Sequence, residues 1–479
     1  MARESLRSGS TIDGFLVGEK VHVGGMAALW SVTRPDIDFP IVLKAPLILD
    51  GDDATAIVGF EMEQMILPQL KGPHAPRCVA VGDFARQPYI VMEYVEGPSL
   101  LPDLDRAPCS VERVREIGIK AATALDALHR QHVIHLDIKP SNILLRPSGE
   151  AALIDFGLSR HELLPDLLAE EFRLPMGTGP YISPEQVRGD RSDPRSDLFS
   201  LGVLLYHLAT GRRPFGYPNT RRALSVRMWR DPVPPRAIRP EIPEWLQEAI
   251  LHCLEVDPNL RYPTAAQLAF DLQNPGEVRI TERGARLDRD GLMVVARRWW
   301  STRFGHVPSS PPIAQQISAA PIVAVSVDLD GGEALAEALR EMVGRILRTL
   351  PDARLACLNV LKLNRVGVNY ALDEEGRNIH VQRLVELKEW ARPLAREEAQ
   401  TTFHVLEATD VAGALIDYAR LNRVDQVIIG ARGSSPVRRF LGSVSSRVVA
   451  EAPCTVTVVR APQAAAGEPA PEASDRIGP

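Results

Sequence analysis

Cysteine is sparse in this 479-residue chain and never paired. Cys78, Cys109, Cys253, Cys357 and Cys454 form no CxxC and share no ligand spacing with histidine. A disulfide framework and a zinc site are therefore not indicated, and reduced thiols are expected. Long apolar runs are also missing: nowhere do about 18 apolar residues follow one another, and the opening MARESLRSGSTIDGF has no apolar centre. Neither a membrane span nor a signal peptide is expected. Charge of one sign is lacking too, since a net charge of -6 does not suggest a nucleic-acid protein. The default is a soluble cytoplasmic protein with no integral membrane association. What the chain does have is length and an ordinary globular composition, 45% hydrophobic and 24% charged. At about 150 residues per domain, it holds roughly three folding units.

The organising stretch is residues 132–145, HVIHLDIKPSNILL. Asp137, Lys139 and Asn142 stand at i, i+2 and i+5, between two apolar runs. That spacing suits a phosphoryl-transfer loop, with a carboxylate for the attacking hydroxyl, a cation for the phosphate and an amide for a metal. Taken alone, the same residues also read as a polar loop between strands, so the surrounding chain has to decide.

Upstream, residues 12–46 alternate as a strand pair, with a turn at Gly24-Gly25-Met26-Ala27 that would let backbone approach a triphosphate. Residues 41–44, IVLK, end an apolar strand on Lys44. From Phe60 a helical pattern places Phe60, Met62, Ile66, Leu67 and Leu70 on its apolar positions, with Pro68 ending or kinking it. Glu63 on that helix is within reach of Lys44. Residues 89–94 form a buried strand leading into Val95-Glu96-Gly97, a connection between two lobes. An amphipathic helix over 111–129 then runs into the organising stretch, with Val114, Ile117, Ala121, Leu125 and Leu128 on one side. Downstream, a short strand over 152–154 delivers Asp155-Phe156-Gly157, a carboxylate placed for a metal that bridges phosphates. Gly177-Thr178, Ser183-Pro184-Glu185 and Ser196-Asp197 follow, and Arg261 is a partner for Glu185.

In that order these motifs resemble a bacterial, eukaryotic-like serine/threonine protein kinase domain over residues 10–275. The resemblance implies an α+β bilobal fold, with a small lobe over about 10–94 and a large lobe over about 98–275. It makes Lys44 the phosphate ligand and Glu63 its ion-pair partner. Asp137 becomes the acceptor of the substrate hydroxyl proton, and Lys139 the stabiliser of the transferring group. Asn142 and Asp155 become ligands of magnesium, with manganese as the alternative metal. ATP would lie against Val21, Gly24, Gly25, Leu29, Val42, Glu93, Val95 and Leu144, while Thr178, Glu185, Asp197 and Arg261 position loop and substrate. Protein Ser/Thr hydroxyls are the implied substrates. Such chemistry is mostly positioning and charge neutralisation, which these residues supply.

Two departures carry information. Of a Gly-x-Gly-x-x-Gly loop, His22 to Ala27 keeps only Gly24 in register, so phosphate cover is looser. Leu136 replaces the arginine that normally pairs with a phosphorylated activation loop, and residues 160–177, RHELLPDLLAEEFRLPMG, contain no Ser, Thr or Tyr. Activity without phosphorylation of that segment is expected. A pseudokinase scaffold is the rival that the altered glycine loop favours and the intact Lys44, Glu63, Asp137, Asn142 and Asp155 disfavour.

Residues 276–320 read as a linker that turns Pro/Ser/Ala-rich from His306. Within it Arg297-Arg298-Trp299-Trp300, Arg303 and Phe304 mix cations and aromatics. An anionic surface would suit them, although burial against their own domain is the expectation for large aromatics. Thr281, Ser301, Thr302, Ser309 and Ser310 are exposed candidates for autophosphorylation.

From residue 321 strands and helices alternate, which implies a five-stranded parallel sheet covered on both faces, an α/β unit over 321–460. Expected strands are 322–327, 355–360, 402–406, 426–429 and 455–459, and expected helices 333–350, 381–394, 411–421 and 443–451. The loop Gly430-Ala431-Arg432-Gly433, with Gly442-Ser443 opening a helix, offers unpaired N–H groups to a phosphate. This half resembles the universal stress protein family, including an aspartate, Asp328, after the first strand. Where that family has nine residues between its second and third loop glycines, this chain has eight. A second nucleotide site at Asp328, Gly430, Gly433, Gly442 and Ser443 and a mere helix-packing loop both remain open. The resemblance also implies a homodimer edge at the last strand, and the alternative is an oligomerisation module with no ligand. The tail over 461–479 reads as disordered.

Overall fold

The computed structural model describes residues 6–24, 27–47, 54–84, 86–172, 174–288, 291, 293, 295–296, 298–300, 321–363, 378–394, 400–431 and 442–461. The chain divides into two compact units, one of residues 1–319 with 370–385 and the other of 320–369 with 386–479.

The first unit opens with strands β1 (Thr11–Ile12), β2 (Phe15–Val23), β3 (Ala27–Thr33), β4 (Ile41–Pro46), β5 (Cys78–Gly82) and β6 (Tyr89–Glu93). They form one antiparallel sheet in the order β1-β2-β3-β4-β6-β5. Alternate residues such as Phe15, Val17, Leu43, Ala45, Tyr89 and Val91 fill its core. Helix α1 (Ala54–Ile66) runs into a 3₁₀ turn, Leu67–Gln69, because Pro68 has no N–H to continue the α-helical ladder.

The large lobe is helical, with α2 (Leu101–Asp105), α3 (Val111–His129), α4 (Leu167–Glu171), α5 (Pro184–Val187), α6 (Arg195–Thr210), α7 (Arg221–Leu224), α8 (Pro235–Ile238), α9 (Glu244–Cys253), α10 (Ala265–Gln273) and α11 (Glu282–Ala285). Ser110 caps α3 by accepting from Arg113 N, and the face expected from the sequence, Val114 to Leu128, is buried. Helix α6 is buried on nearly every side, so it serves as the interior post of the lobe. Short strands β7 (Val133–Ile134), β8 (Ile143–Leu145), β9 (Ala151–Leu153) and β10 (Arg160–His161) pair as β7 with β10 and β8 with β9, bracketing the organising stretch.

The linker expectation needs correction at its start. Residues 281–286 are fastened to α9 through buried Glu248, which accepts from Thr281 N and Gly284 N at 2.9 and 2.8 Å and from Arg283 Nε at 2.9 Å. Gln247 Nε2 donates to the carbonyls of Arg283, Gly284 and Arg286. Thr281 is therefore a half-buried helix cap and not an exposed acceptor, while Ser301, Thr302, Ser309 and Ser310 lie outside the described residues. The burial expected of the tryptophans is also not met. Arg298 is tied to Asp231 at 2.9 Å, yet Trp299 and Trp300 are 41% and 62% exposed.

The second unit carries β11 (Ile322–Ser326), α12 (Glu333–Thr349), β12 (Arg354–Lys362), the part of α13 (Ile379–Ala391) from residue 386 on, β13 (Thr401–Ala408), α14 (Val411–Leu421), β14 (Gln426–Ala431), α15 (Ser443–Glu451) and β15 (Thr455–Arg460). All strands run parallel in the order β13-β12-β11-β14-β15. The two-residue period of a strand sends Val323 and Val325 to one face, with Leu335, Leu339 and Val343 of α12 and Trp390 of α13. It sends Ala324 to the other face, with Leu415, Ile416 and Ala419 of α14 and Val448 of α15. Among the described residues no helix is long and apolar enough to cross a membrane.

Candidate active site

Lys44 lies on β4, in register with Leu29 of β3 and Ile90 of β6. Its ammonium donates to Glu63 Oε2 at 2.6 Å and to Asp155 Oδ1 at 3.0 Å. Burial alone would discharge this amine, but Glu63 and Asp155 outweigh it and hold it protonated. Burial pushes the Glu63 carboxyl up against the pull of Lys44, whereas the Lys44 cation holds Asp155 below the usual carboxylate range. Helix α1 comes so close to the Asp155 segment that a Cβ on Gly59 would stand 2.8 Å from Gly157 O. The absence of a side chain there lets Glu63 reach Lys44.

The organising stretch is held from inside. Asp197, fully buried at the start of α6, accepts from His135 N and Leu136 N, both at 2.8 Å, and from His129 Nε2 at 2.9 Å. Leu136 takes a left-handed backbone, φ 61°, and its carbonyl accepts from Gln186 Nε2 at 2.8 Å. A residue other than glycine persists there only because both neighbours enforce it. Phe156 is buried under the His135 ring, centroids 5.2 Å apart.

Asp137 is 6% exposed. Lys139 Nζ donates to its Oδ2 at 2.6 Å, and Thr178 donates to its Oδ1 from both Oγ1, at 2.6 Å, and N, at 3.1 Å. Asn142 Nδ2 reaches Asp137 O at 3.0 Å and Oδ2 at 3.2 Å, and Asn142 O accepts from Ile154 N at 3.0 Å, setting Asn142 beside the Asp155 segment. A carboxylate and an amide oxygen form a hard-oxygen donor pair that fits magnesium or manganese. Glu185 and Arg261 meet as a bidentate, water-excluded pair at 2.5 and 2.9 Å.

Of the residues expected around ATP, Gly25 lies outside the described residues. Gly24 N donates to Ala27 O at 2.9 Å, closing the turn. Leu29 and Val42 are on β3 and β4, and Val21 on β2 is 47% exposed. Glu93, Val95 and Leu144 line the lobe connection, but the Glu93 carboxylate is taken by Arg146 at 3.1 Å through Nη2 and by Arg77 N at 3.1 Å. Its backbone N donates to Arg77 O at 2.9 Å, which leaves the Glu93 carbonyl as the group to offer a nucleotide.

Sequence reasoning missed Gln186, Ser159, His129 and Arg227. Gln186 was findable, because Ser183-x-x-Gln186 is a capping box, and the box is formed. Arg227 gave no local signal. It is fully buried and donates to Gly179 O at 2.8 Å and to Ile182 O, fixing the segment after Thr178.

In the second unit Asp328 is exposed just past β11, Gly430 is packed against Leu335, and Ser443 opens α15 with Gly442 as its cap. Ser445 Oγ donates to Gly430 O at 3.1 Å, joining the helix start to the carboxyl end of β14. Gly433 lies outside the described residues.

A two-lobed fold with this lysine, carboxylate and amide set defines the protein-kinase class. Residues 49–271 match the protein kinase domain family and residues 322–460 the universal stress protein family. The serine/threonine-protein kinase PknL of Mycobacterium tuberculosis is 30% identical over 272 residues, covering 57% of this chain and 68% of that protein. PknB of the same organism is 36% identical over 268 residues, 54% of this chain and 42% of PknB. A probable serine/threonine-protein kinase of Clostridium perfringens is 34% identical over 254 residues, 53% of this chain and 37% of that protein. The crystal structure of the M. tuberculosis PknI kinase domain aligns with a TM-score of 0.44 at 24% identity, over 56% of this chain and 99% of that one. The chain belongs to the serine/threonine protein kinase family, here joined to a universal stress protein domain.

Proposed function

We propose that this chain transfers the γ-phosphate of ATP to serine and threonine hydroxyls of protein substrates. The observation that carries it is the pair of junctions at the active site. Lys44 is bonded to Glu63 and Asp155, and Asp137 is bonded to Lys139, Asn142 and Thr178. Asp137 accepts the proton as the substrate oxygen bonds to phosphorus and the bond from the γ-phosphorus to the β–γ bridging oxygen breaks. Lys139 offsets charge on the group in flight, and Lys44 orients the phosphates. Asn142 and Asp155 would hold magnesium, which would supply further neutralisation of the phosphates.

We read residues 10–275 as the kinase domain, the chain beyond α11 to about residue 320 as connector, 321–460 as the stress-protein-like domain and 461–479 as a tail. The place of action is the cytoplasm, a reading supported by five free cysteines. Transfer from labelled ATP to a Ser/Thr protein tests the reading. Asp137→Ala and Asp155→Asn should each lose about 10²–10⁴-fold in rate, whereas ATP binding without transfer by the native chain would establish a pseudokinase.

For the second unit we propose nucleotide binding at Asp328, Gly430, Gly433, Gly442 and Ser443, because α15 begins at the carboxyl edge of the sheet. We also propose homodimerisation through β15, because it is an edge strand of that sheet. Calorimetry of the full chain and an Asp328→Ala, Ser443→Ala variant with AMP and ATP tests the first. Sedimentation with Val456→Lys tests the second.

A further inference from the structure

Between Asp197 and Asp231 the chain carries six arginines, Arg212, Arg213, Arg221, Arg222, Arg227 and Arg230, and no Asp or Glu. Elsewhere in the large lobe arginines find carboxylates, as Arg113 does on Asp103, Arg191 on Asp166, Arg195 on Asp193, Arg239 on Glu241 and Arg283 on Glu248. Among the described residues none of the six has a carboxylate partner. Arg227 is buried on backbone carbonyls, and in a protein of net charge -6 the other five make a concentrated run of positive charge.

The stretch abuts the segment that follows Thr178. Tyr181 N donates to Thr178 O at 2.8 Å, so Tyr181 stands one turn from the residue bonded to Asp137. A Cβ on Gly179 would lie 2.9 Å from Pro218 O, and Arg227 donates to Gly179 O. The arginine face therefore begins beside the place where the acceptor hydroxyl must lie.

A run of arginines ordinarily means a solvated surface. That reading leaves unexplained the inner end of this one. Arg213 Nε and Nη1, Tyr181 Oη and His207 Nδ1 are all buried, and among the described residues the Arg213 guanidinium lies beside the Tyr181 phenol with no carboxylate between them. The three side chains sense one another. Burial raises the Tyr181 phenol against the pull of Arg213, and burial and then Arg213 push His207 down to about 4. Tyr217, 78% exposed, covers the Arg213 guanidinium at 3.8 Å. A guanidinium whose neighbours are a phenol, a neutral imidazole and an exposed aromatic ring, and no carboxylate, fits an incoming carboxylate.

We propose that the face formed by Arg212, Arg213, Arg221 and Arg222, with Tyr181 at its inner end, binds an acidic segment of the protein substrate next to its acceptor hydroxyl. This rests on the kinase reading and adds the substrate class. The charge attracts and orients the segment, and Arg213, backed by Tyr181, reads one carboxylate of it.

The test uses the full chain and two labelled peptides that differ only in flanking the acceptor serine with glutamates or with glutamines. Binding is read by fluorescence anisotropy without nucleotide, and transfer as kcat/KM. The glutamate peptide should bind and react about tenfold better, the margin shrinking between about 50 and about 300 mM salt. In the doubly substituted Arg221→Glu, Arg222→Glu chain, whose changed residues are exposed, the ratio should fall to about one or below; Arg213→Gln should lower it too. Equal binding of the two peptides by the native chain, or a ratio unmoved in Arg221→Glu, Arg222→Glu, overturns the proposal. A chain that binds the glutamate peptide selectively and transfers no phosphate supports acidic docking while counting against the kinase reading, so the two failures are separable.

Discussion

Thr178 Oγ1 donates to Asp137 Oδ1 at 2.6 Å across 41 residues of sequence. The other oxygen accepts from Lys139 and Asn142, so the carboxylate proposed to take the substrate proton is aimed by three side chains. Removing a hydrogen bond to a charged group costs about 1.5–3 kcal/mol. Thr178→Val is therefore expected to lower kcat about 10- to 100-fold with KM for ATP nearly unchanged, and Thr178→Ser to keep most of it. Steady-state phosphorylation of a protein substrate decides, and a Thr178→Val chain with native kcat would refute the role.

Glu185 and Arg261 exclude water, with side chains 5% and 0% exposed. Breaking such a pair from one side strands a buried charge at about 3–5 kcal/mol. Arg261→Met and Glu185→Gln should each lower the urea midpoint strongly, and Glu185→Leu with Arg261→Met should cost less than the sum of the single changes. Strict additivity in the unfolding curves would show that the two do not act as a unit.

Asp166 occupies a position in the activation segment where it can take the place of a phosphate. Its carboxylate caps α4, pairs with Arg191 Nε at 2.9 Å and lies 4.0 Å from Arg160 Nε. With no hydroxyl in residues 160–177, phosphatase treatment is expected to leave activity unchanged, and Asp166→Asn to reduce it. Mass spectrometry of the loop peptide alongside the assay checks both. Phosphate on the 160–177 segment that activity requires would sink the idea.

His252 packs against Tyr262, ring centroids 4.0 Å apart, and burial followed by Arg283 lowers it from 6.5 to about 4. The folded value lies below the unfolded one, so the contribution is intact above pH 6.5. As the pH falls from 6.5 towards about 4, the unfolded chain takes up a proton the folded chain refuses, and stability declines. Denaturation at stepped pH should show that decline, and His252→Asn should flatten it. An equal slope in the variant would refute the assignment.

Much of this was legible in the sequence because local pattern and tertiary role coincide. Helix α3 begins and ends where its cap and apolar stripe indicate, and α14 and α15 keep their expected bounds. Lys44, Glu63 and Asp155 come together, as the order of the motifs indicates. Other features depend on partners far along the chain. Arg227 bonds carbonyls 45 and 48 residues away, and Glu248 fastens residues that read as linker 33 to 36 positions on. Backbone carbonyls and N–H groups leave no trace in residue type, so neither contact has a pattern to read. The pairing of Glu93 with Arg146, 53 residues on, likewise has no local signal.

The bare backbone at Gly59 sets two demands against each other. Glycine in the interior of α1 is a poor helix former, and alanine would favour the helix by about 0.8–1 kcal/mol. Yet a single methyl group there has no room before Gly157 O, a backbone atom that cannot swing aside. It would act as a wedge between the helix bearing Glu63 and the segment bearing Asp155. A substitution that improves the helix should thus loosen the three-way junction at Lys44, and catalytic geometry outranks helix propensity at this residue.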